Sequence, residues 1–111
     1  MNLSLLLDAT GRGDEAIAQL QTVVTLAPSF AAARYNLGLA LAQRDGDAAE
    51  ALAQLEIAAE GLPEHARLHY NLGLLRQRTG NRDGARQALL RARELAPEDP
   101  DVRAALRNLD R

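Results

Sequence analysis

Cysteine, tryptophan and lysine are all missing from this chain of 111 residues, and Phe30, Tyr35 and Tyr70 are its only aromatic side chains. Without cysteine there are no disulfides, no thiol nucleophile and no thiolate metal site, and the compartment stays open. The cytoplasm is favoured, with the periplasm compatible if a leader has been removed. Without lysine there is no Schiff-base residue and no phosphate-loop cation, because all 13 basic residues are arginine. The scarcity of aromatics, with alanine and leucine supplying most of the apolar content, favours close-packed helices over a β-sandwich. No apolar run approaches the roughly 18 residues of a membrane span. The segment from Met1 to Leu7 is too short for a signal peptide and lacks a basic start. The alanine and arginine usage points to a GC-rich bacterial genome.

A net charge of −2 conceals an asymmetry. Up to Ala66 there are 3 arginines against 9 acidic residues, a net −6; from Arg67 onward 10 arginines face 6 acids, a net +4. Such a polar molecule can meet a neighbour end to end, but it lacks the overall positive charge of a general nucleic-acid binder.

Self-similarity is the main organising signal. Tyr35-Asn36-Leu37-Gly38-Leu39 returns 35 residues later as Tyr70-Asn71-Leu72-Gly73-Leu74. Each copy leads to a turn glycine (Gly46, Gly80), then to an alanine with leucine four residues on (Ala51 and Leu55; Ala85 and Leu89). A further alanine (Ala58, Ala92) and a closing proline (Pro63, Pro97) complete the pattern. Gly11, Ala16, Leu20, Val23 and Pro28 repeat the second half earlier in the chain, and Asn2-Leu3-Ser4 stands where Asn-Leu-Gly stands in the other copies.

Ala51, Leu55, Ala58 and Leu62 follow the stripe of an amphipathic helix. Gly38 sits on a neighbouring helix where a Cβ would intrude on a close partner. Small alanine set against large leucine suits antiparallel helix pairs at short separation. Asp47 and Asn81 are placed to cap second helices, the prolines to close them, and Asp99-Pro100 to start another. The expected organisation is helix pairs over 1–27, 29–62 and 64–96, then a single helix over 100–110 with Val102, Leu106 and Leu109 on its apolar side.

This pattern, a period near 34 with Leu-Gly, a spaced alanine and a proline, resembles the tetratricopeptide repeat (TPR). The resemblance covers nearly the whole chain. It implies an all-α, α-α superhelix, a right-handed solenoid of antiparallel helix pairs, forming a single domain over 1–111. Repeat 1 would span about 1–30 and lack part of its first helix. Repeats 2 and 3 would span about 31–64 and 65–99, with a capping helix over 100–111. The sequence departs from the family where its aromatics are replaced by Arg34 and His69 before Leu-Gly, and by Leu7, Leu41 and Arg76 after it. The third pair is therefore expected to pack less tightly.

Catalysis has little to work with. Ser4 and Ser29 are the only serines, and neither lies in a nucleophile elbow. His65 and His69 are one helical turn apart, but no third ligand accompanies them, so neither a metal nor any other cofactor is expected. Gly11-x-Gly13 follows no strand and reads as a turn rather than a dinucleotide fingerprint. The arginines at 76, 78, 82, 86, 91 and 93 have no aromatic among them on which bases could stack, and they read as a solvated face. The chain is expected not to be an enzyme and not to bind nucleic acid.

What remains is surface binding. The resemblance implies a concave face, lined by the first helix of each pair, that holds a peptide or partner protein. Its residues would be Asn2, Leu5, Tyr35, Asn36, Leu39, Arg67, Tyr70, Asn71, Leu74, Gln77 and Arg78. Asn2, Asn36 and Asn71 would form a ladder of carboxamides, each able to donate to and accept from a peptide backbone. The apolar stripe with a basic end suits a helical or extended segment with an acidic flank. The family's carboxylate clamp for chaperone C-termini is not expected. Met1 and Leu5 occupy its first two places and Asn71 its last, leaving only Asn36 and Arg67 as matches. The interaction scaffold is expected to be a fragment of a larger bacterial protein, and two alternatives stand beside it. One is a self-associating module driven by the charge gradient. The other is an accessory segment of a larger bacterial enzyme whose catalytic part lies elsewhere.

Overall fold

The computed structural model describes residues 13–44 and 46–110. Among them are six helices and no strand. We number them α1 (Gly13–Leu26), α2 (Ala31–Ala42), α3 (Ala48–Gly61), α4 (Ala66–Arg78), α5 (Arg82–Leu95) and α6 (Pro100–Leu109). None of the described helices is long and apolar enough to cross a membrane. The chain divides into two compact units, Met1–Gly61 and Leu62–Arg111.

In the first unit α2 packs on both α1 and α3. Leu37, Gly38 and Leu41 of α2 are buried with Ala51, Leu55 and Ala58 of α3. The separation is set by Gly38: a Cβ there would lie 2.8 Å from Leu55 Cγ and 3.2 Å from the Ala51 carbonyl oxygen. In the second unit α4 pairs with α5, and α6 packs on both. Gly73 stands to Leu89 as Gly38 does to Leu55, with a Cβ expected 2.7 Å from Leu89 Cγ and 3.2 Å from the Ala85 carbonyl. Leu68, Ala85, Leu89, Ala92, Val102 and Leu109 are completely buried. The α4–α5 pair is thus as close as α2–α3, not looser as the sequence suggested. Arg76, in the place of an aromatic, donates to the Gly84 carbonyl at 3.2 Å and ties α4 to the start of α5.

α1, α3 and α5 each end two residues before a proline (Pro28, Pro63, Pro97), which cannot donate the next backbone bond. All three proline linkers close with the same turn. Phe30 N–H donates to Ala27, His65 N–H to Leu62 and Asp99 N–H to Ala96, at 3.0, 3.1 and 3.1 Å. The turns inside the hairpins need a left-handed residue, supplied by Gly46 at φ +91° and Gly80 at φ +92°. After Gly80, Asn81 N–H returns to the Arg76 carbonyl at 2.8 Å, closing α4. The Asn81 side chain then accepts from Gly84 N–H at 2.9 Å and starts α5. Replacing Asn81 with alanine removes that acceptor and is expected to cost about 1 kcal/mol, a fall in Tm of about 4–8 °C. Asn81→Ser should retain most of the stability, and thermal melts of the two variants decide the point. Asp47, expected as a cap, instead pairs its carboxylate with Arg44 at 3.1 Å, and Arg44 also reaches Asp14 at 3.0 Å.

Candidate functional site

Two side chains that replace the family's aromatics share a role. Arg34 Nε donates to the Pro28 carbonyl at 2.8 Å, and His69 Nε2 donates to the Pro63 carbonyl at 2.9 Å, each six residues back along the chain. Arg34 also donates to Gln54 Oε1 at 3.0 Å, joining α2 to α3. His65 is the N-cap of α4, its Nδ1 accepting from Leu68 N–H at 3.1 Å. The two histidines are therefore a cap and a latch rather than a ligand pair. Among the described residues no group of three or more metal-ligating side chains is assembled.

The residues expected to bind a peptide lie on α2 and α4. On α2, Tyr35, Asn36 and Leu39 follow one face and are half-buried, opposite the buried Leu37–Gly38 row. On α4, Arg67, Tyr70, Asn71, Leu74, Gln77 and Arg78 recur at the three- and four-residue spacing of a single helix face. Tyr70, Asn71, Leu74 and Gln77 are half-buried there; Arg67 and Arg78 are exposed. Asn2 and Leu5 lie outside the described residues.

The α4 face is not independent of α6. Tyr70 and Leu74 pack against the cluster of Val102, Ala105, Leu106 and Leu109. The Arg67 guanidinium lies 4.3 Å from the centre of the Tyr70 ring and reaches Asp99 and Asp101, each at 3.3 Å. Partial burial acts to lower the Arg67 pKa, but hydrogen bonds to Asp101 and Asp99 and the attraction of Asp99 and Tyr70 outweigh it, and the net shift is upward. Of the expected basic end of Arg67, Gln77 and Arg78, Arg67 is thus met within the chain by two carboxylates.

Sequence reasoning had left α6 out of this face. The signal was available, because 34 residues separate Arg67 from Asp101, Tyr70 from Ala104 and Leu74 from Asn108. Of these α6 residues Ala104 is half-buried, whereas Asp101 and Asn108 are exposed. The arginine-rich stretch proves largely structural. Arg82 donates to the Leu109 carbonyl and Arg86 pairs with Asp110, fastening α6 to α5. Arg91 pairs with Glu94 at 3.4 Å.

Two tetratricopeptide repeat models match the sequence, one over residues 42–109 and the other over residues 1–58. The chain belongs to the tetratricopeptide repeat family. Solved structures of TPR proteins superpose on nearly all of it. YrrB, described as a TPR protein with an unusual peptide-binding site, is 30% identical with a TM-score of 0.81 over 95% of this chain and 54% of its own. MamA from Desulfovibrio magneticus RS-1 is 25% identical with a TM-score of 0.85, over 98% of this chain and 61% of its own. The Yersinia enterocolitica type III secretion chaperone SycD, solved with a peptide of the translocator YopD, is 18% identical with a TM-score of 0.81. That match spans 98% of this chain and 88% of SycD, and shows the shared fold. The present TPR chain thus spans about half the length of YrrB and somewhat more of MamA. No curated protein sequence compared with it matches.

Proposed function

We propose that this TPR chain is a protein-interaction scaffold that holds a peptide or a segment of a partner protein on the faces of α2 and α4. The observation that carries the reading is the half-buried face each unit presents, Tyr35, Asn36 and Leu39 on α2 and, separately, Tyr70, Asn71 and Leu74 on α4. Neither fully packed nor fully hydrated, they combine apolar area with carboxamides able to bond a peptide backbone. The peptide-binding site described for YrrB, at 30% identity, supports the same use of the fold. Asp101, Ala104 and Asn108 of α6 extend the surface, and the pairing of Arg67 with two aspartates favours a ligand that is neutral or basic at this end. Affinity should be modest, about micromolar, as befits a small surface without deep anchors.

The test is selection of peptides on the purified chain from a displayed random library. Asn36→Ala combined with Asn71→Ala should weaken the selected peptides at least tenfold in titration calorimetry while leaving the far-UV circular dichroism unchanged. Peptides held equally well by the double variant, or a failure to select any, would remove the proposed surface.

A further inference from the structure

A second surface involves different faces of the molecule and does not depend on the peptide reading. Aligned at intervals of 34 or 35 residues, Arg34, His69 and Arg103 are equivalent, as are Gly38, Gly73 and Arg107. In α2 and α4 the glycine admits the leucine of the next helix. In α6 the same place carries Arg107, with Arg103 one turn before it, both exposed. Among the described residues neither guanidinium has an ion pair, whereas Arg67, Arg86 and Arg91 each have one. On α5, against which α6 packs, Asp83, Gly84, Arg86, Gln87 and Leu90 line an open depression of about 450 Å³. Arg86 joins the depression to the end of α6 through Asp110, and Leu90 is 36% exposed within it. This part of the chain thus offers exposed apolar area at Leu90 on α5 and two arginines without ion pairs among the described residues, Arg103 and Arg107, on α6.

The first unit carries the complement. Glu50, Ala53, Ile57 and Glu60 follow one face of α3 and are all exposed, Ile57 by 42%. Neither Glu50 nor Glu60 has an ion pair among the described residues. We propose that the α5–α6 edge of one molecule receives the α3 face of a second copy. Ile57 enters the depression beside Leu90, and Glu50 and Glu60 face Arg103 and Arg107. A second copy is the occupant the charges favour, because the chain itself supplies both halves of the match: net −6 up to Ala66 and net +4 beyond it. The contact is heterologous, so association continues past a dimer, to a ring where the rotation closes and to a filament where it does not.

Sedimentation velocity over a hundredfold range of concentration provides the test, at low salt and again at high salt. Charge attraction is screened over about 30 Å at 0.01 M but only about 3 Å at 1 M. The wild-type chain should gain mass with concentration at low salt and revert to monomer at high salt. Arg103→Glu with Arg107→Glu, and separately Glu50→Arg with Glu60→Arg, should each weaken association at least tenfold, while an equimolar mixture of the two variants associates again. Arg103→Gln with Arg107→Gln offers the same loss with little risk to folding, which circular dichroism verifies. A wild-type chain that stays monomeric at every concentration in low salt, or variants that associate like the wild type, would overturn the proposal.

Discussion

Gly73→Val is expected to unfold the second hairpin or lower the Tm of the chain by more than about 12 °C. Two opposed effects set the size of this loss. A residue other than glycine gains helix propensity, at most about 1 kcal/mol for alanine and less for valine. Against this, the new Cβ meets Leu89 Cγ at 2.7 Å and the Ala85 carbonyl oxygen at 3.2 Å. Neither is the free end of a flexible chain. Overpacking by a single methyl costs about 1–3 kcal/mol, so Gly73→Ala should be neutral to mildly destabilising. Valine adds two methyls on a stiff χ1, which brings the loss to about 3 kcal/mol or more, and each kcal/mol is worth at least about 4 °C in a domain of this size. Melts of the alanine and valine variants, followed by circular dichroism at the helical band, give the comparison. A valine variant that melts with the wild type would mean that α4 and α5 are further apart than described.

Leu89→Ala should cost about 2–5 kcal/mol, while Leu90→Ala should change stability by less than about 1 kcal/mol. The two leucines are adjacent in sequence, yet Leu89 is completely buried in the core of the second unit and Leu90 faces outward. Urea titration of both variants reads the difference directly, and equal midpoints would contradict the assigned faces. The glycine and the leucine should also be coupled. With Leu89 reduced to alanine, a methyl at position 73 enters vacated space, so the double variant Gly73→Ala/Leu89→Ala should be more stable than the sum of its parts predicts.

Much of this architecture was legible in the sequence because it depends on local chemistry. Gly46 and Gly80 stand where the chain needs positive φ, Asn81 and Asp99 cap the helices that follow them, and the prolines mark helix ends. Gly38 and Gly73 were recognisable as points of close approach because the same neighbours surround each of them. What escaped was the choice of partner for long polar side chains. Arg34 and His69 looked like departures from a packed aromatic, whereas a carbonyl six residues upstream gives either one an acceptor. Arg67 looked like an available cation, and only the position of α6 shows that Asp99 and Asp101 have met it. Such pairings depend on which helix end arrives beside which side chain, and periodicity carries no information about that. The proposed binding face was legible in part. The helix rule places Tyr70, Asn71 and Leu74 together, while the contribution of α6 follows only when its ten residues are aligned with α4 instead of being treated as a plain lid.

The proline linkers bear on how a chain like this one can change over evolutionary time. Ala27–Phe30, Leu62–His65 and Ala96–Asp99 close through the same backbone hydrogen bond, so the three joints share one local turn. Recombination from one joint to the next would delete or duplicate a complete hairpin while leaving an intact turn at the scar. A gene of this kind can therefore vary in length by whole cassettes, and selection can then act on the exposed letters of each cassette without first repairing a broken junction.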